Sequence, residues 1–374
     1  MSVFSTLIDQ EQVINSLREA ISASKDANSK SQAMTHAWLF TGPPGSGRSN
    51  AAVAFAAALV CDKGGCGDCN NCKSAMAGVH SDVELIKTEG LSIKIDEIRE
   101  LITRAAWAPA VGRYRVVVIE DADRLTESAA NALLKAIEEP GAHTVWLLCA
   151  PTATDVLPTI RSRVRTLILR TPSAKSVANL LVKEGVSEKM ADFAAKAAQG
   201  HIGRARHLAT NEDVRNRRSA ILSIPGQLNS IASAYLQAQK LVDLANAESE
   251  AISEALDEKE YEALSTALGK GGGKALKELE KEQKSRATRI TRDTLDGALL
   301  DLATFYRDVL LVQAGRDESL INAELSEQIN KIAANTQPQR TLAKMDAIMS
   351  ARESLQRNGA PLLVMEALMC ELIK

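Results

Sequence analysis

Apolar positions in the first 170 residues alternate between two rhythms. Residues 7–22 set Ile8, Val13, Ile14, Leu17 and Ile21 at helical spacing, and residues 25–33 are polar and read as a loop. Trp38-Leu39-Phe40 predicts a first strand. Behind it, Ala52, Phe55, Ala56, Leu59 and Val60 fall at i, i+3, i+4, i+7 and i+8, the spacing of an amphipathic helix. Val83-Glu84-Leu85-Ile86 predicts a second strand, and Ile98, Leu101, Ile102 and Ala105 the helix after it. The largely β-branched run 114–119 has the character of a strand buried on both faces. Thr126 can cap a helix with a stripe of Ala130, Leu133, Leu134 and Ile137, which Pro140 ends. Runs 144–149 and 164–169 supply two more buried strands. Strands alternating with helices predict an α/β fold, a parallel sheet with flanking helices whose ligand site lies at the carboxyl ends of the strands.

Beyond Pro172 the strand rhythm disappears. Residues 173–184 and 187–199 predict two short helices; Gly200-His201-Ile202-Gly203 separates them from a third, carrying Arg204 and Arg206 and ending near Asn211. The remainder reads as all-helical. Leu299, Leu302, Phe305, Tyr306 and Val309 form one apolar face, and Leu362, Met365, Leu368, Met369 and Leu372 another. Residues 248–292 are densely charged and are interrupted by glycines at 269–273. Because their charges are mixed in sign, they predict an exposed helical hairpin or partly mobile insertion rather than a nucleic-acid arm. The division is therefore 1–171, an α/β domain with a cysteine module at 61–72; 172–212, a small helical domain; and 213–374, a helical domain with a charged insertion at about 245–293.

Composition narrows this little. The chain has 374 residues, 45% hydrophobic and 25% charged, enough for two or three domains, and its formal charge of −2 provides no global basic field for nucleic acid. The start has no basic and apolar leader pattern, and no run approaches the roughly 18 apolar residues of a membrane span, so a cytoplasmic location is expected. Four of the six cysteines, Cys61, Cys66, Cys69 and Cys72, are spaced C-x4-C-x2-C-x2-C. Four thiolates this close predict a closed, structural zinc site, and Gly64, Gly65 and Gly67 permit tight turns between them.

The run Thr41-Gly42-Pro43-Pro44-Gly45-Ser46-Gly47-Arg48-Ser49 has the outline of a phosphate-binding loop between strand and helix, where backbone N–H groups turn inward around a phosphate. Gly42, Gly45, Gly47 and Ser49 fit; Arg48 stands where the pattern has lysine. A planar guanidinium is no equivalent of that compact charge, so the chain is either an ATPase with an altered loop or a relative that no longer turns over. Glu120-Asp121-Ala122-Asp123 follows the third strand, where an acidic pair holds Mg²⁺ and activates water in loop-type ATPases. Here the usual Asp-Glu order is reversed. Arg161-Ser162-Arg163 leads into the last strand, where an arginine is either a surface residue or a finger for a neighbouring subunit's site.

With the loop, the four-cysteine module, Asn131-Ala132-Leu133-Leu134-Lys135-Ala136-Ile137-Glu138-Glu139-Pro140, Ser162-Arg163 and Gly203-Arg204-Ala205-Arg206, the chain resembles the clamp-loader subunits of bacterial DNA polymerase III, a branch of the AAA+ proteins. The resemblance implies a P-loop AAA+ domain, a helical lid and a helical collar that joins subunits in a ring segment. It implies gamma/tau and delta subunits, the sliding clamp and primed DNA as partners. It also implies a place in the DNA-directed DNA polymerase holoenzyme, a nucleotidyltransferase complex. Arg163 matches the arginine that the family's stator-type subunit offers to the adjacent ATP site, with Val164 where that motif has cysteine. Arg206 matches a nucleotide-sensing lid arginine. The sensor at the end of the 144–149 strand has no clear match among Ala150, Pro151 and Thr152. Arg48 and the Glu120-Asp121 order favour the stator type, with ATP binding weak or absent and no intrinsic ATPase, over a gamma/tau-type motor, whose chains tend to extend further beyond the collar.

Overall fold

A computed structural model describes residues 2–25, 33–88, 90–268, 273–316 and 320–373. The chain forms two compact units, Met1–Thr88 with Ser92–Ala209, and Thr210–Lys374 with Glu89–Leu91. Most of the predicted loop at 25–33, and residues 269–272 of the glycine break, lie outside the described residues.

A 3-10 turn at Val3–Thr6 precedes α1 (Glu11–Lys25) in the first unit. The helix starts later than its apolar spacing suggests because Asp9 adopts a positive φ of 57°. Its carboxylate accepts from Ser173 N at 2.9 Å and Ser176 Oγ at 2.8 Å, turning the chain before the helix begins. Next come β1 (Ala37–Thr41), α2 (Arg48–Leu59), α3 (Asn70–Met76), β2 (Val83–Ile86), α4 (Ile95–Ala105), β3 (Arg115–Ile119), α5 (Glu127–Glu138), β4 (Thr144–Ala150), α6 (Pro158–Arg161) and β5 (Arg165–Ile168). Three short helices follow: α7 (Ala174–Lys183), α8 (Glu188–Ala197) and α9 (Ile202–Thr210).

All strand pairs are parallel, in the order β2-β3-β4-β1-β5. Alternation at period two sends neighbouring residues to opposite faces. Trp38, Phe40, Val116, Val118, Leu147 and Cys149 join the core containing α2, while Leu39, Val117, Ile119, Trp146 and Leu148 join the one containing residues of α4 and α5. Two expectations are corrected. The helix α2 is not amphipathic: Ala51, Ala52 and every residue from Ala54 to Leu59 are buried, so its small side chains pack nearly all round. The last strand is an edge rather than a buried strand. Only β1 pairs with β5, Arg165 and Thr166 are half-buried, and Ile168 is 72% exposed.

The second unit consists of α10 (Glu212–Gln227), α11 (Ile231–Leu268), α12 (Gly273–Gln313), α13 (Ser326–Asn335), α14 (Pro338–Gln356) and α15 (Pro361–Ile373), with a 3-10 turn at Ala323–Leu325. The predicted α12 face, Leu299 to Val309, is buried together with Met365, Leu368, Met369 and Leu372 of α15. Through the charged stretch, α11 and α12 run side by side: Ser249 Oγ donates to Ala287 O at 2.9 Å, and Arg286 binds both Asp257 and Glu260. Among the described residues no helix is long and apolar enough to cross a membrane.

Candidate functional site

The carboxyl ends of β1, β3 and β4 lie in register, with Phe40 opposite Cys149 and Ile119 opposite Leu148. Their following loops therefore meet. Gly42 N donates to Pro151 O at 3.1 Å, tying the phosphate-type loop to the segment after β4. Within the loop, Gly45 and Gly47 have φ of 84° and 87°, a left-handed backbone that favours glycine, and Gly47 caps α2. The first N–H groups of α2 have no acceptor within their own helix.

Arg48 occupies the first position of α2, and its Nη1 donates to Gly42 O at 2.6 Å. The cation is folded back onto the carbonyl of the loop it follows, a charge-assisted bond of about 1.5–3 kcal/mol. Ser46 is likewise turned inward. Its N–H donates to Pro43 O at 3.0 Å, and its buried Oγ meets no partner among the described residues.

His201, read from sequence only as part of a turn, is the residue that spacing most clearly missed. A Cβ on Gly45 would stand 2.4 Å from the His201 ring, so the imidazole is seated directly on the loop. Its Nδ1 accepts from Arg204 N at 3.2 Å at the start of α9. Burial holds its pKa below the usual histidine range, helped by the charges of Arg204 and Arg48. Only glycine at position 45 and a small turn at 200–203 hinted at this contact.

Glu120 and Asp121 stand half-buried after β3, with Glu120 N donating to Ile86 O at 3.0 Å. Burial pushes the Asp123 carboxyl up, and the Asp121 charge adds to it while Arg124 and Arg48 oppose it. The buried Cys149 thiol is raised by burial and feels the charges of Arg48, Glu120, Asp121 and Asp123. Arg48 and the acidic residues thus gather at one end of the sheet.

Two predicted residues make different attachments. Arg163, just after α6, pairs through Nε with Glu138 Oε1 at 2.6 Å and donates from Nη1 to Thr159 O and Ser162 Oγ. Arg206 of α9 forks onto Glu184, with Nε 2.9 Å from Oε2. This hydrogen bond holds the Glu184 carboxyl below its usual range and raises Arg206.

The four predicted cysteines come together. Their Sγ atoms all lie within 4.8 Å of one another, an arrangement that can hold a metal ion. The intervening Gly64, Gly65 and Gly67 all have positive φ. At Gly65 a Cβ would sit 2.8 Å from Val3 Cγ2, and Val3 N donates to Gly65 O at 3.1 Å, so the module packs against the N-terminal turn. Burial opposes the Cys61 thiolate, but N–H groups of Cys66 and Gly65 outweigh it and bring the pKa to about 6. Cys72, dominated by burial, is raised.

A parallel sheet with a phosphate-type loop after β1, an acidic segment at the same end of the sheet after β3 and helices on both faces defines an AAA+-like P-loop unit. Residues 10–173 match the family described as DNA polymerase III, delta subunit, and residues 259–372 the family described as DNA polymerase III, delta subunit, C terminal. The chain is 27% identical over 331 residues to DNA polymerase III subunit delta' of Bacillus subtilis (strain 168), covering 87% of each protein. It belongs to the delta-prime family of DNA polymerase III clamp-loader subunits. Similarity to DNA polymerase III subunit gamma/tau of Mycobacterium tuberculosis (strain ATCC 25618 / H37Rv) is 32% over 185 residues, 48% of this chain but 31% of that protein. A DNA polymerase III gamma subunit-related protein from Thermotoga maritima superposes with a TM-score of 0.43 at 20% identity, covering 92% of this chain and 99% of that one.

Proposed function

We propose that this delta-prime-family chain is a non-catalytic stator of the clamp loader, which completes a neighbouring subunit's ATP site with Arg163 while its own phosphate loop is a scaffold. The observation that carries the reading is the bond from Arg48 to Gly42 O, 2.6 Å long, which engages the loop's cation internally. The seat of His201 on Gly45 supports it by covering part of the same loop. Weak or absent ATP binding and no intrinsic ATPase follow. In this reading α7–α9 are the lid, with Arg206 at the sensor position held by Glu184. The helices α10–α15 are the collar that joins gamma/tau and delta subunits in a cytoplasmic assembly acting on the sliding clamp and primed DNA.

The cysteine module is the chain's structural zinc site in this reading. A tetrahedron of thiolates at about 2.3 Å from zinc has edges of about 3.8 Å. Cys61 Sγ lies 3.8 Å from Cys66 Sγ and 3.7 Å from Cys69 Sγ. Zinc there would supply no chemistry beyond crosslinking: Cys61, Cys66, Cys69 and Cys72 would hold it and fix the turn between α2 and α3.

The test is a complex reconstituted with Arg163→Ala. Clamp- and DNA-stimulated ATP hydrolysis should fall at least tenfold with assembly intact, in line with the roughly 10³- to 10⁵-fold effect of such arginines at a single site. Wild-type turnover would refute the role in trans.

A further inference from the structure

Glu138 lies within the run 131–140, at the end of α5, and is the residue that grips Arg163. We propose that Glu138 is the positioning residue of the finger: it fixes the Nε edge of the Arg163 guanidinium and aims the Nη2 end at the triphosphate held by the neighbouring subunit. This rests on Arg163 acting in trans.

The geometry accounts for the guanidinium nitrogen by nitrogen. Glu138 is the last residue of α5, and its Oε1 lies 2.6 Å from Nε. Nη1 donates to Thr159 O at 2.9 Å and to Ser162 Oγ at 3.0 Å. An arginine has five N–H donors in a rigid fork. Nη1 uses both of its own here and Nε lies in the ion pair with Glu138, while among the described residues nothing accepts from Nη2. The end of the fork with two remaining donors is the one left to meet a phosphate.

The contact is poorly placed to serve stability. The two side chains are 42% and 43% exposed, and an ion pair this open contributes little to folding. It is well placed to serve direction. An untethered arginine samples many rotamers, and that freedom is lost when the group engages a transition state. The carbonyls at the C-terminus of α5 favour a cation at this position as well. Glu138 also blocks the Nε edge, so an approaching phosphate meets Nη2 end-on.

The experiment uses complexes reconstituted with the full chain carrying Glu138→Ala, Glu138→Gln, Arg163→Ala or the double substitution. It reads kcat and KM for ATP under clamp and DNA stimulation, and assembly by gel filtration. E138A should lower kcat by about tenfold with KM changed less than about twofold. E138Q, which keeps an oxygen of the same reach beside Nε, should recover most of the rate. Adding E138A to R163A should cost nothing further. If E138A does not assemble, Glu138→Asp, one methylene shorter, carries the same expectation of a kcat-only loss. Wild-type kcat in E138A beside an impaired R163A would overturn the positioning role and leave the finger standing. A further loss in the double variant would mark Glu138 as structural. Wild-type kcat in R163A would overturn both.

Discussion

Asp82 is fully buried beside the edge strand β2, and its carboxylate ties down the turn after α4. Oδ1 accepts from Ala110 N at 2.6 Å, and Oδ2 from Val111 N at 2.8 Å and Gly112 N at 2.7 Å. Asp82→Asn keeps the shape but can present only one oxygen. Turned to keep Val111 and Gly112, it faces its own NH₂ against Ala110 N–H. Ala110 N–H and the new NH₂ then face each other without acceptors, at about 1–3 kcal/mol, and two charge-assisted bonds become neutral ones of about half the strength. The sum is about 3 kcal/mol, or roughly a hundredfold in the local opening equilibrium. Hydrogen exchange of the 110–112 amides at neutral pH should accelerate by that factor, with the β3 and β4 amides much less affected. The pH dependence has a definite sign. Burial works to raise the Asp82 carboxyl, but the three N–H donors outweigh it and hold it below the usual range. Its stabilisation is therefore present above the unfolded value near 4 and is lost as pH falls through the folded one, so the two proteins converge at strongly acid pH. Exchange in Asp82→Asn within about threefold of wild type at neutral pH would show that the carboxylate does not hold this turn.

His201 should titrate below the ordinary histidine value by NMR. Because the folded pKa is lowered, the unfolded chain takes up the proton first, and stability of the loop contact should decline as pH falls through about 6.5 toward the folded value. A His201 titrating above 6.5 would show the ring is not seated on Gly45. Metal analysis of protein purified without chelator should find one zinc per chain. Cys72→Ser should lower that stoichiometry and speed proteolysis near α3, and zinc-free protein with unchanged protease resistance would contradict the four-thiolate site.

The parallel frame was readable because its signals are local. β3 and β4 are apolar runs, Thr126 caps α5 by accepting from Ala129 N, and glycines mark the turn before α2. The four cysteines were equally legible, since all lie within one short segment. What spacing missed depends on contacts across the chain. Periodicity alone gave α2 one apolar face, but alanines are small enough to be enclosed on every side. An apolar run cannot tell a central strand from an edge, and so β5 was misplaced. Arg48 stood out as a departure from lysine, yet only folding shows that its guanidinium turns back to Gly42 O. The partners of Arg163 and Gly45, Glu138 and His201, lie elsewhere in the sequence, and neither the 131–140 run nor the 200–203 turn indicates which residue it meets.

In the proposed stator the phosphate loop is a scaffold. Its most direct test is titration of the purified wild-type chain and Arg48→Lys with ATP and Mg²⁺, read by calorimetry together with phosphate release. Wild type should show no saturable binding up to about 1 mM, weaker than about 4 kcal/mol, and no turnover. Arg48→Lys should remain without turnover, since the reversed Glu120-Asp121 order and the seat of His201 on Gly45 are unchanged. Micromolar ATP binding with hydrolysis by the wild-type chain would show that the loop is a working nucleotide site.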